Sequence, residues 1–405
     1  MQKAARTALY IAIFALISLA STPFALAQEK TKEEVSPVEK PALSLADQEL
    51  YRKIDQLLMI GFRGVEVTDA SPIAAILEDT NLGGVILFDY DGPSKKRDRN
   101  ITSPLQVQEL TQALQDRAQT PLLIAVDEEG GAVNRLKKAD GFSYVLPRAK
   151  DLGSKKVSNT LLQSKKLARQ LKVLGINLNF GPVTDLDYGV RSPIIGALGR
   201  AFSSKPLTVV AHARAFIEGH DYYGIGTVIK HFPGHGSARG DTHQGIVDAT
   251  RTYEAKELEP FQRLINDGDA HAIMVAHLMN RDIDPEFPAS LSKITVTDLL
   301  RKKLGFDGVV ITDDLNMGAI AEKYSPGEAA VLALLAGNDL LIFSNNIDSY
   351  DDTLVYTVRD AIFAAVRDGS LSEDRVHEAY SHVMFWKAWL HILPEEKSTT
   401  LAFSY

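Results

Sequence analysis

The sequence of 405 residues predicts an α/β fold, a (β/α)8 barrel forming a single catalytic domain, on three observations. Apolar runs of strand length recur along most of the chain, helical stretches with an apolar face alternate with them, and the runs are too apolar to be half-exposed. Such runs belong to a parallel sheet covered by helices. Eight of them can be counted, at 57–62, 84–88, 122–126, 176–180, 226–229, 272–276, 308–312 and 339–343. Helical patterns fall between them at 104–117, 159–174, 207–223, 255–266, 296–304 and 326–336. Eight βα units in one chain of this length suit a barrel with insertions. A doubly wound open sheet is the alternative, but no G-x-G-x-x-G follows the first run, and Gly130-Gly131 after the third is too sparse for a dinucleotide loop.

The N-terminus reads as an export signal. Lys3 and Arg6 precede an apolar run over 8–20, and Ala25-Leu26-Ala27 fits an A-x-A cleavage site. That run is shorter than the roughly 20 residues needed to span a bilayer, so cleavage is expected rather than anchoring. The expected location is periplasmic or extracellular, with no membrane contact after cleavage. Lys3 and Arg6 are the only charges in residues 1–27, so the net charge of −8 becomes −10 without them. An acidic chain without a basic run is a poor partner for nucleic acid or anionic membranes. With no cysteine, neither disulfides nor lipid attachment to a thiol are available. Residues 28–44 are charged, carry prolines and read as a flexible linker; the barrel is expected over 45–392 and a tail over 393–405. A monomer is expected. Two loops, 89–100 and 185–202, interrupt the alternation, and helices at 349–369 and 373–391 are expected to close the fold, with Trp386 and Trp389 against the barrel.

In a barrel, chemistry sits where strands end and loops begin. Those positions hold Asp127-Glu128-Glu129 with Arg135, then Asp185, Arg200, Lys230-His231, Asp241 with His243, His277 and Asp313-Asp314. Each alone is as readily a cap or an ion-pair partner; the set is a site. Glu129 and Asp314 read as supporting residues, and Arg135 as one that orients Asp127 or Glu128. The densest stretch is 230–245, KHFPGHGSARGDTHQG, expected as the loop leaving a strand at 229. His231, His235 and His243 are a conceivable zinc set, but no HExxH helix or cysteine accompanies them, so neither metal nor cofactor is expected.

Two features point to sugar chemistry. A strand-end carboxylate such as Asp313 can attack an anomeric carbon as the nucleophile of a retaining mechanism. The second group must give a proton and take one back, and a histidine with an ordinary pKa of about 6.5 does both near neutrality. Asp241, two residues before His243, can accept its ring N–H and fix the tautomer, while a glycine-rich tether lets the pair swing.

KHFPGHG followed by Asp-Thr-His, with DEEGG and Arg135 upstream and ITDDLNM downstream, resembles glycoside hydrolase family 3, in particular its β-N-acetylglucosaminidases. The likeness runs from about Asp55 to Lys387. It implies a retaining exo-β-N-acetylhexosaminidase acting on small GlcNAc-containing carbohydrates, muropeptides or chitooligosaccharides. Asp313 would be nucleophile, His243 acid/base and Asp241 its partner. Asp127, Arg200, Lys230 and His231 would hold sugar hydroxyls, with Arg135 and His277 further contacts. Family members that cleave β-glucosides carry their acid/base in a second domain, for which this chain has no room. Members usually show Asp-Gln-Glu-Gly-Gly; Glu128 in place of the glutamine is expected to add a charge near the mouth. A phosphorylase, favoured by a histidine that is neutral after proton transfer, and a non-catalytic sugar-binding barrel are the competing readings.

Overall fold

The computed structural model describes residues 43–394, so the predicted signal, nearly all of the linker and most of the tail lie outside the described residues. A compact unit begins at Ser44. Among the described residues there are eleven strands: β1 Leu58–Gly61, β2 Gly84–Ile86, β3 Leu123–Val126, β4 Leu178–Asn179, β5 Gly226–Thr227, β6 Ile229–Phe232, β7 Val247–Asp248, β8 Ala272–Val275, β9 Leu278–Met279, β10 Val309–Thr312 and β11 Leu341–Phe343. Six form a parallel sheet in the order β11-β1-β2-β3-β4-β5, and three form a second, β10-β8-β6. Only Val228 separates β5 from β6, and a parallel bridge between Ile311 and Leu340 links β10 to the approach of β11. The protein is therefore an α/β fold on parallel strands. Every predicted run contains a strand, and most strands are shorter than the run.

Sequence explains the helices locally. Ser44 caps Leu45–Gln56 by accepting from the Asp47 N–H, Ser103 caps Pro104–Arg117, and Ser325 with Glu328 closes a reciprocal box on Pro326–Ala336. The last ends at Gly337, whose φ of 114° admits no side chain comfortably. Short helices at Pro72–Asp79 and Ala149–Gly153, and the whole of Leu45–Gln56, escape the sequence pattern. The closing helices are Leu354–Arg367 and Glu373–Trp389. Trp386 is buried in the main core, whereas Trp389 is partly exposed and lies against the His271 ring at 4.0 Å.

The boundary at 229 needs correction. Strand continues through Phe232, so Lys230 and His231 are buried strand residues and not loop. A lysine and a histidine can lie buried in a parallel strand because carboxylates meet them there: Asp127 and Glu129 at Lys230, Asp185 at His231. Burial continues to Ala238, and the glycines of this first half serve close packing, not swing. A Cβ on Gly236 would fall 2.2 Å from the Leu186 carbonyl oxygen. Gly236→Ala is accordingly expected to destabilise the fold by about 1–3 kcal/mol through overpacking, read as a lower thermal midpoint by circular dichroism. An unchanged midpoint would show that the 186 and 236 segments can part freely.

Candidate active site

At the C-terminal ends of the strands lies a cavity of about 220 Å³, lined by Asp127, Arg135, His243, Asp313 and Asp314 among polar groups. That is less than the roughly 300 Å³ of a small drug-sized pocket and suits a single ring. Its apolar walls include Phe88, Phe180, Met274 and Met317. A larger groove of about 840 Å³ at the opposite ends of β8 and β10, around His271 and Trp389, has no comparable convergence of catalytic groups.

Asp313 follows β10 directly. Its N–H donates to the Val275 carbonyl at 3.0 Å, which holds its backbone in line with the neighbouring strand β8. Burial pushes its carboxyl up, but His277, His231, His243 and the Asp314 N–H, donating at 2.9 Å, outweigh this and hold it at about 2. Asp313 is thus ionised at neutral pH, and it has no ion-pair partner among the described residues. The next carboxyl behaves oppositely: burial raises Asp314 to about 6, although the N–H groups of Ser344 and Asn316 donate to its Oδ1 at 2.8 and 3.0 Å. Those bonds tie the segment after β11 to the one after β10.

His243 stands on a single 3₁₀ turn, Thr242–Gln244, capped by Asp241. Asp241 Oδ1 accepts from the His243 N–H at 3.0 Å and pairs with Nδ1 at 2.8 Å. With the proton on Nδ1 in that bond, Nε2 is the atom left to exchange protons. The His243 side chain is 62% exposed and Asp241 28%, so the dyad is open to solvent.

Behind the cavity lies a charge cluster. Arg200 grips Glu129 with two bonds of 2.7 and 2.8 Å, and Lys230 bridges Glu129 Oε1 and Asp127 Oδ1, each at 2.7 Å. Burial would raise the Glu129 carboxyl, but Arg200 and Lys230 hold it far below the ordinary carboxylate range. Burial likewise opposes the charge on Arg200, and Glu129 more than restores it. His231 donates from Nδ1 to Asp185 Oδ2 at 2.7 Å and faces Arg200 at 3.3 Å through Nε2; the His235 N–H donates to Asp185 Oδ1 at 2.8 Å. Arg135 and Lys137 both approach Asp89, Arg135 at 3.9 Å.

The structure therefore brings Asp127, Arg135, His243 and Asp313 to one cavity, with Asp241 behind His243. Arg200, Lys230 and His231 are set one layer deeper, where they fix Asp127 and the β6 backbone. His277 departs from the expected substrate contact: it is fully buried, Nε2 donates to the Asp314 carbonyl at 2.8 Å and Nδ1 pairs with Ser290 Oγ at 2.7 Å, so neither nitrogen is available. Its ring instead fixes the strand end that carries Asp313. Glu128 also departs from expectation, adding no charge at the mouth: it is buried, and desolvation pushes it up to about 8. Of the three histidines considered for zinc, His231 pairs with Asp185 and meets the His235 ring edge-on at 5.6 Å, the His235 ring nitrogens are buried without a hydrogen-bond partner among the described residues, and His243 pairs with Asp241. Phe88, Tyr90, Ser344 and Asn346 line the cavity and were not singled out from sequence. They immediately follow β2 and β11, so the strand-end rule applied to those two runs finds them.

A parallel α/β fold whose strand ends converge on an ionised carboxylate and a histidine–aspartate pair is that of a glycoside hydrolase. The chain belongs to glycosyl hydrolase family 3, whose N-terminal domain matches residues 49–385. A beta-hexosaminidase of Nitrosomonas eutropha is 39% identical over 308 residues, 73% of this chain and 83% of that one. Among solved structures, a family 3 β-N-acetylglucosaminidase from Paenibacillus sp. str. FPU-7 superposes with a TM-score of 0.75 at 31% identity, covering 89% of this chain and 68% of its own. A β-N-acetylhexosaminidase from Beutenbergia cavernae DSM 12333 gives 0.72 at 30% identity, covering 85% and 98%.

Replacing Glu129 by glutamine leaves two buried cations facing a neutral group, a change expected to cost about 3–5 kcal/mol. Because the folded-state value lies below the unfolded one of 4.5, the stabilisation is complete above 4.5 and is lost progressively below it, as pH falls through the folded-state value. Denaturant titrations of wild type and Glu129→Gln should differ most above pH 6 and converge in acid; a pH-independent difference would show that charge is not what Glu129 contributes.

Proposed function

We propose that the chain is a retaining exo-β-N-acetylglucosaminidase, releasing terminal β-linked GlcNAc by double displacement. The observation that carries this is the pairing, in one cavity, of Asp313 held ionised at about 2 with a His243–Asp241 dyad. The family and the names of the relatives support the acetamido sugar. Asp313 attacks the anomeric carbon as the His243 imidazolium gives its Nε2 proton to the departing oxygen, leaving a glycosyl ester on Asp313. Nε2 then takes a proton from water as that water attacks the same carbon, and the Asp313 carboxylate leaves. Asp127 and Arg135 offer an acceptor and a donor to the ring hydroxyls, and the Met274 and Met317 walls give an acetamido methyl an apolar surface.

The eight runs are further proposed to close into one barrel, supported by the continuity of β5 with β6 and by the Ile311–Leu340 bridge. Export through the 1–27 segment would bring the enzyme, as a monomer, to GlcNAc-bearing wall fragments such as muropeptides outside the cytoplasm.

With a chromogenic β-N-acetylglucosaminide beside the matching β-glucoside, the acetamido sugar should be preferred. Asp313→Ala should lose on the order of 10³-fold or more in kcat, as expected when a nucleophile is removed. His243→Ala should lose roughly 10²–10⁴-fold on substrates with poor leaving groups, where protonation matters. Preference for the glucoside, or activity indifferent to Asp313, would overturn the reading; sugar 1-phosphate formed in phosphate buffer would make the enzyme a phosphorylase.

A further inference from the structure

One carboxyl beside the cavity has no part in the mechanism. Glu128 follows Asp127 off the end of β3, and its side chain turns inward, fully buried. Oε2 accepts the backbone N–H groups of Arg135 at 2.8 Å and Leu136 at 3.1 Å, while Oε1 is buried with no hydrogen-bond partner among the described residues. The Glu128 backbone is held on both sides by Asn179, which accepts its N–H at 3.0 Å and donates to its carbonyl at 3.1 Å. Arg135 has a matching gap. Its Nε is also buried without a partner, and its terminal nitrogens face Asp127 and Asp89 at 3.9 Å each, beyond hydrogen-bond range. An orphaned acceptor on Glu128 thus accompanies an orphaned donor on the residue whose backbone Glu128 already grips.

We propose that Glu128 is a positioning residue for Arg135: uncharged, it holds the 129–136 turn and leaves the guanidinium facing the sugar cavity; ionised, it draws the Arg135 Nε–H onto Oε1 and withdraws that guanidinium from substrate. This rests on the cavity being a sugar site. The surrounding charges support it. Asp89 is paired with Lys137, Asp127 with Lys230, and Glu129 with Arg200 and Lys230, so these other acids near Glu128 already meet a cation at close range. Arg135, with only long contacts, is the cation left to answer a new charge. Burial, with Asp89 adding to it, pushes Glu128 up to about 8 against the pull of the two N–H donors and Arg135, so the change falls in mildly alkaline solution. A glutamine at this position would accept the same two N–H groups and never ionise.

The test is KM and kcat for the chromogenic β-N-acetylglucosaminide from pH 6 to 10, using wild type, Glu128→Gln and Arg135→Gln. In wild type KM should rise about tenfold across pH 8, equivalent to about 1.4 kcal/mol, while kcat follows its own profile. Glu128→Gln should hold a low KM through the alkaline range. Arg135→Gln should start from a high KM and show no further rise. A rise that persists in Glu128→Gln, or in Arg135→Gln, would overturn the proposal, as would a flat wild-type KM. No turnover by wild type at any pH would instead sink the glycosidase reading, and this proposal with it. A merely structural Glu128 predicts pH-dependent melting with no movement of KM, and that result also counts against positioning.

Discussion

The carboxylate of Glu129 sits at the centre of the charge arrangement on which the site is built. It lies at 5% exposure beneath the cavity and receives a two-pronged guanidinium from Arg200 and an ammonium from Lys230. Two cations at the end of a buried parallel sheet would each carry a desolvation penalty of several kcal/mol if unpaired. Glu129 and Asp127 together balance them. Lys230 then becomes a strut between strand β6 and the loop after β3, and Asp127 is presented to the cavity at a fixed height. With Asp185 taken up by His231 and the His235 N–H, Asp313 is left as the ionised carboxylate in the cavity without a cation of its own. A nucleophile must keep its lone pairs for carbon. Holding Asp313 ionised through surrounding histidines and a backbone N–H, and not through a lysine clamp, does that.

Neighbouring carboxyls with opposite behaviour show how this is arranged. Asp313 and Asp314 are adjacent in sequence, yet their surroundings hold one at about 2 and push the other to about 6. Asp314 is not thereby the proton donor, since Oδ1 already takes two backbone N–H groups and its carbonyl takes His277. It pins the β10 and β11 ends together, and His277, reaching from the end of β8, joins them. Three strand ends are thus locked around the nucleophile by Asp314 and His277.

How much of this was legible in sequence follows from the same physics. Uninterrupted apolar runs identify strands buried on both faces, and charges just beyond them identify the site, because ionisable groups are rarely placed there without purpose. Asp127, Asp313 and the Asp241–His243 pair were readable on that basis. Sequence position does not say whether a strand-end side chain turns toward the cavity or beneath it, so Arg200, Lys230, His231 and His277 read as equals of Asp127. Nor does a charge count survive burial: Glu128 counts as −1 in the sequence and is mostly protonated at pH 7 when pushed to about 8. Lys230 and His231 obscured the end of their own strand because their compensating acids come from β3 and the 185 loop, more than 40 residues away.

The division between the enclosed nucleophile and the exposed dyad has a chemical reason. The nucleophile must approach a carbon within a few tenths of an ångström, and Asp313 is fixed by backbone bonds to β8 and by its place at a strand end. The acid/base has two successive tasks, protonating one oxygen and deprotonating another that arrives later. His243 is suited to both because its orienting partner is local. Asp241 lies two residues away on the same turn, bonded to both the backbone and the ring of His243, so the tautomer travels with the turn wherever it goes. A partner borrowed from another strand would be lost with every displacement. The first half of the glycine-rich stretch is wedged against Leu186 and Glu257, and beyond Ala238 the chain opens toward solvent at Arg239 and His243 while Thr242 stays buried. Glycine serves close packing in both halves, Gly240 lying against Val247 as Gly236 does against Leu186, and the dyad is carried by the half that reaches solvent.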